Sequence, residues 1–264
     1  MGGGTTSPLT RPPRPHPRLS PPSTFQRTQY LGAALLLRAL LASAAAPRPR
    51  LPPAAELSAL RDTFLPLSAF YLAKNCCYML LQRAATALPA VLLAAHQPCW
   101  SLWNLVAFTN TPLEQAALVF LPSAASALER RETVRLLMLL GLASGAVGAA
   151  AAVGPPLLAP WLLTQDPALW PHMASVAAQG AAALLLCGAD VSATGVLLAL
   201  RDRGYVARSM AVSLAGLGAF LWSQRAAGPS LGLVWWGLVV FFGLRAAQSV
   251  PRAVGRHLWQ AQPA

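Results

Sequence analysis

Two charged residues lie inside long apolar stretches of the sequence, where a charge is costly and is usually kept for function. Lys74 is the only lysine in the chain and stands in YLAKNCCY. It follows Arg61 by about 20 Å of helical rise. Asp190, in LLLCGADVSATG, is the only acidic residue in its own apolar stretch. A charge buried in a membrane faces the bundle interior or water and takes a partner. Lys74 and Asp190 are therefore the first candidate coupling residues. The alternatives are a lysine that extends to the membrane surface and a carboxylate that serves only as a structural hydrogen-bond acceptor.

Helical rise also places these two residues at similar depths. Lys74 lies about 20 Å, and Asp190 about 17 Å, from the positively charged ends of their helices. We therefore predict that Lys74 and Asp190 face the interior and pair with each other. A buried carboxylate is a natural proton carrier, so proton binding at Asp190 is predicted to loosen this pair.

Three more polar residues occur in the second apolar stretch. Glu114 follows Pro112 in NTPLEQAALVFLP, and it can line the mouth of a cavity or sit at the membrane surface. His96 and Gln97 are adjacent in LLAAHQPCW. A lone histidine in such a place can relay protons or simply pack. Both interpretations stay open for each residue, and all three are candidate coupling residues.

The sequence lacks the motifs of several enzyme and pump classes. It has no glycine-rich phosphate loop followed by lysine, no histidine pair at metal-binding spacing and no nucleophile elbow. The four cysteines have no zinc-site spacing. We therefore predict no enzymatic activity, no bound metal and no cofactor. The net charge of +12 comes from basic residues at the ends of apolar runs, which favours a lipid bilayer over nucleic acid as partner.

The elements that position these residues are predicted to be membrane-spanning helices. Hydrophobic residues make up 55% of the chain and charged residues 11%. Runs of about 20 apolar residues cross a bilayer as helices, because lipid offers no partner for exposed backbone groups. The predicted fold is an all-α, multi-pass membrane protein with a six-helix transmembrane bundle. Its six spans are 64–81, 88–109, 134–157, 173–200, 207–222 and 231–247.

The flanking segments define the predicted domain organisation. Residues 1–28 are rich in Pro, Arg and Ser and are predicted to form a disordered leader, which leaves a transit peptide and an incidental leader as alternatives. A partial helix is predicted over 29–45, a Pro/Arg-rich linker over 46–61, the helical bundle over 62–252 and a tail over 253–264. The tryptophans are predicted to form an interfacial belt.

Several sequence elements resemble the carboxy-terminal lobe of the multidrug and toxic compound extrusion (MATE) transporters. The elements are LLAAHQ with NTPLEQAALVFLP, then GVLLALRDRGY and LVWWGLVVFFGLRAAQS, and TQYLGAALLLRALL resembles the end of the preceding lobe. The resemblance extends from about residue 29 to residue 252 and is closest to the plant and algal branch, which includes chloroplast-envelope members. The family has twelve helices in two lobes, so this chain resembles one lobe of such a transporter.

The resemblance implies a secondary antiporter that exports organic ions, xenobiotics or metabolites. It adds Asn110 of NTPLEQ and Thr194, which stands where plant members tend to have an acid, to the candidate coupling residues. Lys74 occupies the position of a glutamate in sodium-coupled bacterial relatives, which favours proton coupling over sodium coupling. The resemblance also implies a missing amino-terminal lobe as partner. The alternative is a non-transporting six-helix membrane protein, such as an assembly partner or an inert fragment.

The distribution of basic residues predicts the topology of the chain. Apolar character continues from residue 88 past Pro98 and Pro112 to Leu128, which allows one kinked helix or two crossings. With one crossing, the successive connections carry three, one, three, zero, three, one and three arginines. This alternation is typical of a positive-inside arrangement, and two crossings would break it. One kinked helix is therefore favoured.

Reporter fusions test this topology. Fusions after Leu128, Arg203 and Ala264 are expected to report one side of the membrane, and fusions near Arg83, Asp166 and Ala227 the other. The physical reason is the retention of arginine-rich loops on one side. A fusion near Asp166 that reports the same side as Ala264 would contradict the six-span arrangement.

Overall fold

The computed structural model of the chain describes residue 31, residues 34–36 and 38–39, and residues 53–258. The part described is helical and contains no β-strand. The first group of residues belongs to one compact unit and residues from Glu56 onward to another. The predicted leader, 1–28, lies outside the described residues. Within the predicted partial helix, the six described residues are helical.

Eight α-helices follow from residue 54 onward within the described part. Short 3₁₀ turns at Pro160–Leu162, Pro167–Leu169 and Arg225–Ala227 lie between some of them. The helices are α1 (Ala54–Thr86), α2 (Ala90–Phe108), α3 (Thr111–Ser123), α4 (Ala127–Leu158), α5 (Trp170–Ala174), α6 (Ala177–Ala199), α7 (Arg203–Ser223) and α8 (Leu231–Leu258).

Five helices of the described part are long and apolar enough to cross a membrane. They cover Glu56–Thr86, Ala127–Leu158, Ala177–Ala199, Arg203–Ser223 and Leu231–Gly255. The protein is thus an all-α chain with the helices that an integral membrane protein requires. Helix α2, which corresponds to the second predicted span, is not among the five. It is 19 residues long, and His96, Gln97 and Asn104 reduce its apolar character.

Two predicted boundaries are wrong. The linker was predicted to extend to residue 61, but α1 begins at Ala54 and Glu56 lies in its first turn. Alanine, leucine, glutamate and arginine dominate this segment and have high helix propensity, which outweighs the nearby prolines. The tail was predicted to begin at residue 253, but α8 continues to Leu258 despite Pro251. Residues 46–52 and 259–264 lie outside the described part of the chain.

The long second apolar stretch is divided into two helices. Helix α2 ends at Phe108, and α3 begins at Thr111. The two joining residues, Thr109 and Asn110, keep right-handed helical dihedrals, and their amides donate to carbonyls three residues back. Pro112 has no amide hydrogen to donate to a carbonyl of the preceding turn, which explains a break at this point. The number of membrane crossings in this stretch stays a prediction.

Helix α6 is the central element of the bundle. Fifteen of its 23 residues are buried, including Asp190. It packs closely against α4, because a Cβ on Gly188 would overlap the carbonyl oxygen of Gly141 and lie 2.9 Å from the Cα of Gly145. On another face, a Cβ on Gly195 would lie 2.8 Å from the Cα of Glu114 in α3. Small residues at these crossings allow backbones in a membrane bundle to approach and gain packing contacts.

An aromatic layer fills the space between α2 and α8. Trp100 stacks on Trp103, with ring centroids 5.7 Å apart, and contacts Trp235 at 6.3 Å. Trp103 and Trp235 are fully buried, whereas Trp222 and Trp236 are more than half exposed. The prediction of an interfacial belt is therefore wrong for Trp103 and Trp235, which are core residues.

Substitution of Gly188 by alanine tests the close crossing of α4 and α6. The added Cβ would meet backbone atoms of Gly141 and Gly145, which cannot move aside as a flexible side chain would. We expect Gly188→Ala to lower the free energy of unfolding in detergent micelles by about 1–3 kcal/mol. The control is Gly218→Ala in α7, where a Cβ meets open space. Equal stability of the two variants would contradict the close crossing.

Candidate functional site

A buried ion pair connects α6 with α8. Nη2 of Arg245 lies 3.1 Å from Oδ1 of Asp190, and Nε of Arg245 donates to Oδ2 at 3.3 Å. The side chains are 1% and 8% exposed, respectively. The hydrogen bond from Nε to Oδ2 and the close contact of Nη2 with Oδ1 hold the guanidinium against the carboxylate, which fixes the relative orientation of the helices as well as neutralising both charges.

Hydroxyl groups complete the hydrogen bonding of this pair. Ser249 donates to Oδ1 of Asp190 at 2.8 Å, and Thr194 donates to the same oxygen at 3.2 Å. The remaining nitrogens of Arg245 donate at 2.8 Å to the hydroxyls of Ser209 in α7 and of Thr194. The guanidinium carbon of Arg245 also lies 5.5 Å from the ring centroid of Phe70 in α1. The polar network therefore spans α6, α7 and α8, with α1 packed against it.

The predicted pair of Lys74 with Asp190 is wrong. Among the described residues Asp190 forms its ion pair with Arg245, and Lys74 takes part in none of the three ion pairs. The half-buried ammonium of Lys74 instead interacts electrostatically with Glu114 in α3. The physical reason is that the guanidinium of Arg245 offers several donors in a planar fork, whereas an ammonium is a point charge.

Glu114 is held more loosely than Asp190. It is buried, with 8% of its surface exposed. Tyr71 of α1 donates to its Oε1 at 3.4 Å, which is long for a hydrogen bond between oxygens. Glu114 takes part in none of the three ion pairs among the described residues, and its electrostatic interactions with Lys74, Asp190 and Arg245 act over longer distances. We call these four residues (Lys74, Glu114, Asp190 and Arg245) the charged cluster.

His96 and Gln97 lie apart from the charged cluster. The ring of His96 is fully buried in the aromatic layer, 5.5 Å from the ring centroid of Trp100 and 5.8 Å from that of Trp235. Its two nitrogens have no hydrogen-bond partner within the described part of the protein. Gln97 is exposed. The structure brings neither residue to the charged cluster, and both interpretations of His96 stay open.

Asn110 and Thr194 have different surroundings. Asn110 is fully buried at the break between α2 and α3, where its side-chain amide nitrogen, Nδ2, donates to the carbonyl of Ala107 at 3.4 Å. Its side-chain oxygen has no hydrogen-bond partner among the described residues. Thr194 bridges Asp190 and Arg245 through its hydroxyl. Thr194, one turn from Asp190, thus contacts two members of the charged cluster.

Arg245 is the cluster residue that the sequence interpretation missed. The last span was predicted to end at residue 247, so Arg245 was counted with Arg252 and Arg256 as a charge at the membrane surface. Because α8 continues to Leu258, Arg245 is the fifteenth of 28 residues and lies at the middle of the helix. A useful signal was present in the sequence, since GLRAAQSV places Arg245 and Ser249 four residues apart on one helical face.

Three of the four side chains in the charged cluster are of types that can gain or lose a proton. With both carboxylates ionised its charges cancel, and one bound proton leaves it with a net charge of +1. Arginine does not lose its proton in proteins, so a change of charge falls on the carboxylates or the lysine. The described residues include no group of three or more His, Cys, Asp and Glu side chains that could hold a metal ion.

Comparison with known proteins does not assign a family. No protein-family model matches the chain, and no curated protein matches its sequence. A functional assignment therefore depends on the charged cluster, on the membrane-type helices and on the resemblance of the sequence elements quoted above.

Loss of the Arg245 charge tests the buried ion pair. Arg245→Met leaves the Asp190 carboxylate buried without its counter-ion, and we expect the free energy of unfolding to fall by about 3–5 kcal/mol. The control is Arg61→Met, which removes a surface pair whose side chains are 67% and 65% exposed. That pair should contribute about 0–1 kcal/mol. Denaturant titration in detergent micelles measures both, and similar losses would contradict the buried pair.

Proposed function

We propose that this chain is one six-helix lobe of a secondary antiporter that exports organic ions, xenobiotics or metabolites in exchange for protons. The observation that carries the proposal is the charged cluster, which gathers Lys74, Glu114, Asp190 and Arg245 from four helices. Charges inside a membrane bundle are expensive, and they usually mark ion and substrate pathways. The resemblance to MATE transporters supports the same function.

Glu114 is the proposed proton-binding residue, in place of Asp190. The oxygens of Asp190 accept hydrogen bonds from Arg245, Ser249 and Thr194, so this carboxyl group is already engaged within the bundle. Within the described part of the chain, Glu114 accepts one long hydrogen bond, from Tyr71, and is attracted by the two bases and repelled by Asp190. A buried carboxylate with little direct hydrogen bonding is more open to a proton or a cation than one that is held in a hydrogen-bonded ion pair.

Proton exchange at Glu114 couples to substrate through charge. When Glu114 is ionised the cluster is neutral, and an organic cation can take the place of the proton beside the carboxylate. When Glu114 is protonated the cluster carries +1, which repels a cation and favours its release. Mutual exclusion of proton and substrate at one carboxylate is sufficient for antiport, provided that the binding site faces the two sides of the membrane in turn.

Alternating access requires a second body against which this lobe moves. We propose an amino-terminal lobe of the same kind as that partner, with the substrate between the two lobes. Six membrane crossings, with α2 and α3 together forming the second, are part of the proposal. The branch of the family that the sequence resembles makes the chloroplast envelope one candidate location, alongside other cell membranes.

A second candidate is a non-transporting membrane protein, such as an assembly partner. It is favoured by the closed geometry of the Asp190–Arg245 pair, because Arg245 is only 1% exposed and its donors are used within the bundle. An ion pair of this kind can hold helices together without taking any part in transport. Binding measurements separate the two candidates, since an assembly partner has no need of a proton-linked small-molecule site.

Proton-linked binding by the purified chain tests the antiporter proposal. Calorimetric titrations with tetraphenylphosphonium, a cation, and benzenesulfonate, an anion, are made in buffers of different ionisation enthalpy over a series of pH values. We expect the cation to bind with release of up to one proton from Glu114. Glu114→Gln should abolish the proton release, and Glu56→Gln, at an exposed position in α1, should retain it.

Two results would contradict the proposal. If neither probe binds at any pH, the non-transporting candidate is favoured. If the cation binds with the same proton release in Glu114→Gln as in the unmodified chain, Glu114 is not the proton-binding residue.

A further inference from the structure

A groove between α4 and α8 combines basic and apolar surface at one end of the bundle. It has a volume of about 320 Å³ and lies mostly along the first half of α4, with Val254 of α8 on its other wall. The volume is within the range of small-molecule sites in proteins, which is about 300–1,000 Å³. Arg131, Arg135, Met138 and Leu142 belong to its lining. The groove is separate from the charged cluster and is used by no step of the proposed antiport.

The basic end of the groove carries two arginines for which the described residues provide no ion-pair partner. Arg131 and Arg135 are exposed and take part in none of the three ion pairs among the described residues. They are four residues apart, so their side chains lie on the same face of α4, one turn from each other. Glu132 also belongs to the lining, which leaves these three side chains with a net charge of +1.

The apolar part of the groove continues the same helical face. Met138 and Leu142 follow Arg135 at spacings of three and seven residues, which align on one side of a helix. Leu142 lies about 10 Å along the helix axis from Arg135. From Leu136 to Leu158, α4 contains no charged residue. The arginines thus stand where the helix changes from charged to apolar, which is typical of the end of a membrane span, and the groove extends from there along the apolar part of α4.

We propose that this groove binds an anionic phospholipid. The phosphate accepts hydrogen bonds from Arg131 and Arg135, and an acyl chain lies along Met138, Leu142 and Val254. Basic pockets between membrane helices recognise anionic lipid head groups through the same charge complementarity. A free phosphate would use only the two arginines and leave the apolar part of the groove unoccupied, whereas a phospholipid matches both parts in the order in which α4 presents them.

Lipid retention by the purified full-length chain tests this proposal. The chain is incubated in detergent with phosphatidylglycerol or with phosphatidylcholine of the same acyl chains, and bound lipid is counted by native mass spectrometry. We expect preferential retention of phosphatidylglycerol. Removal of each arginine should weaken its binding about fivefold, so Arg131→Gln with Arg135→Gln should weaken it about 25-fold.

Two further variants separate the charge and the apolar contributions. Arg83→Gln with Arg208→Gln removes the same charge from exposed positions outside the groove and should leave retention unchanged. Leu142→Trp, at a position 46% exposed, should fill the apolar part of the groove and reduce retention while both arginines remain. Thermal unfolding of each variant, compared with the unmodified chain, shows that the fold is retained.

Several outcomes would overturn the proposal. Equal retention of the two lipids would remove the role of the head-group charge. An equal loss in the Arg83 and Arg208 double variant would indicate a general effect of net charge. Displacement of phosphatidylglycerol by glycerol 3-phosphate, together with full retention in Leu142→Trp, would identify a site for a free anionic phosphate.

Discussion

The guanidinium of Arg245 and the carboxylate of Asp190 lie together in the interior of the bundle, where either charge alone would be very costly. Each is acceptable only because the other is within hydrogen-bonding distance and because serine and threonine hydroxyls satisfy the remaining donors and acceptors. The pair therefore constrains the relative positions of α6, α7 and α8. It also engages one carboxylate of the cluster in an ion pair, and Glu114 is the acidic residue that exchanges a proton in the proposed antiporter.

Close packing around α6 makes this arrangement geometrically feasible. Glycines at the crossing with α4 bring the two backbones together, and Gly195 lets the backbone of Glu114 approach the same helix that carries Asp190. Glu114 and Asp190 therefore interact electrostatically although they are far apart in sequence. The local packing of small residues and the long-range grouping of charges are thus two consequences of the same central helix, and a bulky residue at these glycines would disturb both.

The sequence was sufficient to predict helical, membrane-type structure, because long uncharged runs leave the backbone few alternatives in lipid. It also identified Asp190 and Glu114 as unusual, since acids inside such runs are rare. The ion-pair partner of Asp190 was not predictable in the same way. It depended on how far α8 continues past residue 247, and the end of an apolar run does not fix the end of a helix. An error in one helix end moved Arg245 from the bundle interior to the surface and left Lys74 as the apparent partner of Asp190. The aromatic layer was missed for a similar reason, because the sequence does not show which face of a helix Trp103 and Trp235 occupy.

The central claim is that Asp190 and Arg245 stabilise the bundle as a directly interacting pair. A double-mutant cycle with Asp190→Leu, Arg245→Met and the combined variant measures this interaction as a coupling free energy of unfolding. The structure predicts that the combined variant is much more stable than the sum of the single losses implies, with a coupling of about 1–3 kcal/mol. Single losses that add to within about 0.5 kcal/mol would contradict a direct pair and, with it, the assignment of Glu114 as the exchangeable carboxylate.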